Sequence, residues 1–279
     1  EAPRITGNEE LAQKFSVSPM AMRLIRSRAG MSEEEVREYL CGTIDELADP
    51  YLMKGMRDAV SLLQEKIRQG SRIRIIGDYD IDGVNATHIL ITALRRIGAA
   101  ADTVIPDRLK DGYGVNEHLI QDAKDAGVDT IVTCDNGIAA TKEIAFAKEL
   151  GMTVIVTDHH DIPYREEEDG SRTVILPPAD VIINPKQEDC PYPFKKLCGA
   201  AVAWRLAEAL YIEAGISREE FLDLAEFAAV ATVGDIMDLT GENRILVKYG
   251  LRRLEQTKNP GYRALIAVNG LERKRLTAY

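Results

Sequence analysis

The chain has 279 residues, 45% apolar and 29% charged, a globular composition with room for one large domain or two smaller ones. Its 35 basic and 45 acidic side chains give a formal charge of −10, which excludes holding nucleic acid by bulk electrostatics. No apolar run reaches the roughly 18–20 residues that span a bilayer. The opening EAPRITGNEE lacks the basic and apolar blocks of a signal peptide. Cys41, Cys134, Cys190 and Cys198 form no CxxC pair, so neither a disulfide framework nor a cysteine zinc site is expected, and a reducing cytoplasm fits best.

The first seventy residues read as helical and charged. Ser18-Pro19 starts one helix toward Ala29, and Ser32 followed by Glu33, Glu34 and Glu35 predicts a second with Ser32 as its N-cap. A third runs from about Lys54 to Arg68 and closes at Gly70. From residue 72 short β-branched runs take over, at 72–76, 101–105, 129–133, 153–157 and 180–184, with helical stretches near 84–97, 116–126 and 140–150 between them. This alternation predicts an α/β fold, a doubly wound, mainly parallel sheet with helices on both faces. The acidic stretch 166–169 with Gly170 reads as a solvated loop. Helical patterns near 199–214, 217–233, 243–257 and 260–269 finish the chain as a C-terminal extension.

The chemistry gathers where strands end. The run at 72–76 leads into Gly77-Asp78-Tyr79-Asp80-Ile81-Asp82-Gly83, the run at 129–133 into Cys134-Asp135-Asn136-Gly137, and the run at 153–157 into Asp158-His159-His160. Open α/β sheets bind ligands outside the carboxyl ends of their strands, so three strands would deliver carboxylates and imidazoles to one edge. In an extended stretch Asp78, Asp80 and Asp82 would all point the same way. Oxygen donors with one or two imidazoles suit Mn²⁺ or Mg²⁺. Taken singly each motif has a plain reading: a DxD is often a turn or helix N-cap, Asp-Asn-Gly is a common turn, and Asp235 reads as a helix terminus. Three at successive strand ends are not coincidence.

DYDIDG, CDNG, the Asp-His-His triplet and the later VGD resemble, in order and spacing, the motifs of the DHH phosphoesterase superfamily. The text at 106–116, 183–204 and 231–239 is similar to the RecJ family of single-stranded-DNA exonucleases. That resemblance implies a DHH domain over 71–279 behind an N-terminal helical segment, 1–70. The DHHA1-type domain and OB-fold that follow in such proteins are expected to be absent from this chain.

The resemblance further implies two divalent ions, Mn²⁺ or Mg²⁺. Asp80 would hold one and Asp82 the other, with Asp135 bridging, His159 and Asp235 completing the second ion's ligands, and His160 facing the scissile phosphate. Asp158 would be a ligand or orient the histidines. Superfamily members often carry a histidine where this chain has Ile76, which leaves the first ion to Asp78 or water.

Other residues carry open readings. Arg108 and Lys110 would clamp a phosphate or be surface charges, and Tyr113 would stack on a base or pack. Asn184 and Lys186 sit where substrate contact is possible, and Gly199 would receive a phosphate at a helix N-terminus or permit close packing. His88 and His118 read as structural or exposed, Trp204 as core. The function implied is 5′-to-3′ single-stranded-DNA exonuclease action in DNA repair and recombination, with single-stranded nucleic acid and DNA-repair proteins as partners. A phosphodiesterase of short oligoribonucleotides or cyclic dinucleotides and a non-enzymatic replication scaffold are the alternatives. With 6% aromatic residues and no basic stripe beside the motifs, this length of chain is expected to bind single strands weakly and to lose them steeply as salt rises.

Overall fold

The runs 130–134 and 153–157, in the middle of the sheet, bury both of their faces, which is what a central parallel strand demands, whereas the run 100–104 is only partly covered. The computed structural model describes residues 8–29, 32–112, 114–272 and 274–278, so the expectation for Tyr113 lies outside the described residues. The strands in chain order are β1 (Arg72–Ile76), β2 (Ala100–Val104), β3 (Thr130–Cys134), β4 (Thr153–Thr157), β5 (Tyr164–Glu166), β6 (Arg172–Val174) and β7 (Val181–Ile183). Five of them form one sheet in the order β2-β1-β3-β4-β7, every pair parallel. Chain direction across the sheet reverses between β1 and β3, the switch point where open sheets place ligands.

The helices are α1 (Asn8–Lys14), α2 (Pro19–Ala29), α3 (Glu33–Cys41), α4 (Met56–Arg68), α5 (Ile81–Arg96), α6 (Glu117–Asp125), α7 (Thr141–Glu149), α8 (Gly199–Glu213), α9 (Arg218–Asp223), α10 (Ala225–Gly234), α11 (Gly241–Leu254) and α12 (Pro260–Val268). Alternate strand residues feed two cores. Ile73, Ile75, Val132, Cys134 and Ile155 pack with α4, α5, α8 and α10. Ile76, Ile131, Val154 and Val156 pack with α6 and α7 on the other face. The doubly wound arrangement follows directly from that alternation.

Four expectations need correction. The boundary at residue 70 cuts through a continuous core, because Met56, Ala59, Val60 and Leu63 of α4 belong to the main cluster. Helices α1–α3 have a small apolar cluster of their own, around Ala12, Met22 and Val36, and α3 is tied to α11 through Arg244 and Lys248, which donate to the carbonyls of Tyr39 and Leu40; α1 itself was not expected. The helix at 217–233 is two helices, since short i to i−3 bonds on either side of Leu224 tighten the chain there. Residues 164–174 hold an antiparallel ribbon with Tyr164 opposite Val174, and the acidic stretch supplies the end of β5 and its turn. Three-residue strands give too little periodicity to read.

At α3 the expected N-cap forms a full capping box: the Glu35 N–H donates to Ser32 Oγ (3.3 Å) and the Ser32 N–H to Glu35 Oε2 (2.6 Å). Ser32→Ala should lower stability by about 1 kcal/mol in urea unfolding, and an unchanged midpoint would show that α3 does not need its cap. Among the described residues no helix is long and apolar enough to cross a membrane.

Candidate metal centre

β1, β3 and β4 end side by side, and the residues that follow turn inward over the switch point. After β1 the chain does not stay extended through Asp78, Asp80 and Asp82. Asp80 caps α5, its Oδ1 accepting the N–H groups of Asp82 and Gly83 (both 2.9 Å). Asp82 therefore lies in the helix's first turn, and the three carboxylates divide between two sides of the cluster. After β3, Asp135 takes a left-handed backbone (φ 61°), a conformation aspartate tolerates at some cost. Asp235 arrives from far along the chain at the end of α10. Its neighbour Gly234 lets α10 press against α5, since a Cβ there would sit 2.6 Å from Ile81. Ile236 beside it is also left-handed (φ 55°), rare for a β-branched residue.

Three overlapping groups have donor atoms within 4.8 Å of one another: Asp78 with Asp80 and Asp135, Asp82 with His159 and Asp235, and Asp135 with His159 and His160. His159 Nε2 lies 3.2 Å from Asp135 Oδ1, 3.6 Å from Asp82 Oδ2 and 3.9 Å from Asp235 Oδ2. Octahedral ligands at about 2.1 Å from an ion stand about 3 to 4 Å from each other, so these spacings fit a divalent cation. Unpaired atoms point the same way. Both Asp78 oxygens and Asp135 Oδ1 are buried without a partner at hydrogen-bond geometry, an arrangement that is costly unless a cation takes them.

The electrostatics agree. Burial first, and then the carboxylates of Asp82, Asp80 and Asp158, push Asp135 up to about 11. Burial also raises Asp78 and Asp235, and it lowers His159, keeping that imidazole neutral and fit to ligate. A raised carboxyl binds more protons folded than unfolded, so metal-free stability falls as pH rises between its unfolded and folded values. For Asp135 that window runs from 3.8 to about 11. His159 acts in the opposite sense near its unfolded value of 6.5, so the clean comparison lies above it. Melting temperature should drop between about pH 7 and 8 without metal. Saturating Mn²⁺ should raise it and flatten the slope. Melting curves indifferent to Mn²⁺ at both pH values would remove the cation from this cluster.

Several expected roles change once the surroundings are visible. Asp158 belongs to none of the three groups. Its Oδ2 accepts the Ile138 N–H (2.9 Å), and its Oδ1 the N–H groups of His159 (2.7 Å) and His160 (3.1 Å) and His160 Nδ1 (2.7 Å). Burial opposes its charge, but the His160 ring and these N–H groups hold its carboxyl below the usual range. The same contact raises His160. Asp158 thus orients the histidines.

Gly199 is no phosphate receiver. The N-terminus of α8 already holds an anion, Asp82, whose oxygens accept the N–H groups of Gly199 (2.6 Å) and Ala200 (2.7 Å). Close packing is the reason for glycine, as a Cβ would fall 2.5 Å from Asp135 Oδ1. Asn184 is fully buried; its Nδ2 donates to the His160 carbonyl (3.0 Å) and its Oδ1 accepts the Lys186 N–H (2.8 Å), so it braces the triplet rather than meeting substrate.

Arg108 is exposed, its guanidinium 5.4 Å from the ring centre of Tyr79, and Lys110 is exposed on the same loop. Lys186 pairs with Asp161 (2.8 Å). Ile76 points into the α6–α7 core, which leaves Asp78 to join Asp80 and Asp135. His88 packs against Phe227, His118 pairs with Asp111, and Trp204 is core. The sequence reading missed the buried Asn136, whose only signal was its place in CDNG.

Residues 72–232, more than half of the chain, match the DHH family, N-terminal domain. The chain belongs to the DHH family. DHH relatives include the single-stranded-DNA-specific exonuclease RecJ of Bacillus subtilis, 39% identical across 94% of this chain and 31% of the relative. RecJ of Escherichia coli is 35% identical across 93% of this chain and 44% of its own length. The chain thus spans 31% to 44% of the length of these curated proteins. Among solved structures, Thermus thermophilus RecJ in complex with Mn²⁺ superposes with a TM-score of 0.74 at 32% identity, covering 96% of this chain and 36% of that one.

Proposed function

We propose that this chain carries the metal-dependent phosphodiesterase centre of a 5′-to-3′ single-stranded-DNA exonuclease, with Mn²⁺ or Mg²⁺ as cofactor and a role in DNA repair and recombination, where DNA-repair proteins are its partners. The observation that carries this reading is the sharing of Asp135 and His159 between adjoining ligand groups, which sets two cation positions side by side. Asp78, Asp80 and Asp135 would hold one ion; Asp82, His159 and Asp235 would hold the other. Two divalent ions would supply Lewis-acid stabilisation of the phosphoryl oxygens and a nucleophilic water at neutral pH. The likeness to RecJ proteins, one of them solved with Mn²⁺, supports the substrate and the ions.

The protein's own groups do the rest. His160, half-exposed and held toward its charged form by Asp158, offers a donor to the phosphate, while Asn184 fixes its backbone carbonyl. Arg108, beside Tyr79, contacts a flanking phosphate.

Digestion of 5′- and 3′-labelled single strands with Mn²⁺ tests the reading. Early release of the 5′ label as mononucleotide is expected; release of the 3′ label first would reverse the polarity, and no hydrolysis would remove the activity. Among variants, His159→Ala should abolish Mn²⁺ binding at one position by calorimetry, whereas His160→Ala should keep the isotherm and lose rate by about 10²-fold or more. Equal loss of metal in both would end the division of labour between them.

A further inference from the structure

Helix α10 closes in a Schellman arrangement: the Ile236 N–H donates to the Val233 carbonyl (3.2 Å) and the Met237 N–H to that of Thr232 (3.1 Å). The left-handed position of such a closure usually falls to glycine, because a β-branched side chain is strained there. This chain places Ile236 in it, at φ 55°. The same side chain is 89% exposed, so its apolar surface gains nothing from the core. Strain and exposure together, directly after Asp235 of the cation cluster, mark a side chain kept for what it meets outside the fold. Ile81, which packs against Gly234, is 44% exposed, and Val84, one turn on along the same face of α5, is 45% exposed. Ile81 precedes Asp82 as Ile236 follows Asp235, so an aliphatic residue borders each carboxylate of the group that contains His159. Three side chains fall far short of the roughly 20–30 residues a side that a stable protein interface needs. They match the face of a single nucleobase, an apolar surface that every base presents.

We propose that Ile236, with Ile81 and Val84, is the contact for the nucleobase nearest the scissile phosphate. The occupant follows from continuity with the cation centre: a strand whose phosphate sits at Asp82 and Asp235 carries its next base over the residues that border them. Aliphatic side chains meet a base through its face and not through its hydrogen-bonding edges, so the contact is indifferent to sequence. A base held there fixes the rotation of its nucleotide and, with it, the position of the phosphate. Ile236 binds and does no chemistry. The contact deepens the reading of the chain as a nuclease and rests on it for the strand.

The test compares two short strands with the same phosphate backbone, one of thymidine nucleotides and one of abasic sugars, by fluorescence anisotropy at low salt. Ca²⁺ replaces Mn²⁺, and the strands are checked for intactness, so the outcome is read without hydrolysis. The parent should prefer the thymidine strand by about fivefold or more. Ile236→Gly and Ile236→Asn both accept the left-handed backbone and remove the aliphatic surface. Each should cut the preference at least about threefold and leave affinity for the abasic strand within about twofold. Ile236→Gly should also melt about 2 °C higher than the parent, with the Mn²⁺ increment retained, so that loss of binding accompanies a gain in stability. Val84→Thr, which replaces an exposed methyl by a hydroxyl, should lower the preference in the same direction by a smaller factor. The proposal is overturned if the parent binds neither strand or both alike, if the Ile236 variants keep the parental preference, or if they lose both strands equally. Ile236→Gly melting below the parent would overturn it too, as would sedimentation in which the parent self-associates and Ile236→Gly does not, which would give the face to a second copy. Failure of the labelled-strand digestion with the base preference intact would instead strike the proposed activity and leave the contact standing.

Discussion

Asp135→Asn is expected to lower phosphodiester hydrolysis by roughly 10³-fold or more, about 4 kcal/mol of transition-state stabilisation. Asparagine is the informative replacement because it tolerates the left-handed backbone at this position (φ 61°), where alanine would add strain. The charge is what changes. Asp135 belongs to the group of Asp78 and Asp80 and, 3.2 Å from His159 Nε2, also lies beside the other proposed cation position, so the substitution would weaken the first position directly and the second through its neighbour. Without metal the variant should melt no lower than the parent, since burial and the carboxylates of Asp82, Asp80 and Asp158 all oppose ionisation there. The increment in melting temperature produced by Mn²⁺ should largely vanish. Parental rates together with a parental Mn²⁺ shift would show that Asp135 bridges nothing.

Gly199→Ala should be the most damaging methyl group that can be added near the site. In the first turn of a helix, glycine to alanine ordinarily gains a few tenths to about 1 kcal/mol. Here the new Cβ would lie 2.5 Å from Asp135 Oδ1 and 2.6 Å from its Cβ, closer than atoms can stand. Overpacking of this kind costs about 1–3 kcal/mol, so the sign of the stability change is reversed. Either Asp135 must shift by an ångström or so, or the start of α8 must, and then Asp82, which accepts the N–H groups of Gly199 and Ala200, shifts with it. Displacement on that scale costs about 10²-fold in rate. Urea unfolding and turnover measured together decide it: a stabilised, fully active variant would sink the account of Gly199.

Much of this was legible in the amino-acid order because its causes are local. The runs at 72–76 and 153–157 are strands over those residues, and Ser32 caps the helix it precedes. The strand-end rule placed Asp78, Asp135 and His159 on one edge because parallel strands must all finish on the same side. Residue type alone then announced a cation, since so many carboxylates cannot share a buried edge without one.

What only the tertiary structure decided depends on partners distant in sequence. Asp82 and Gly199 are separated by 117 positions, and no local pattern says that the carboxylate of one fills the helix end opened by the other. Asn184 looked like a substrate contact until both ends of its amide were seen to be used inside the fold. Asp80 gained a second role as a helix cap, and the alternation of the three carboxylates was lost, because α5 begins one residue later. Helix α4 joined the main core because its apolar face had to be buried somewhere, and only the packed sheet offered a surface. Periodicity determines which face of an element is apolar; the packing of all the elements together determines what that face, and each polar group beside it, will meet.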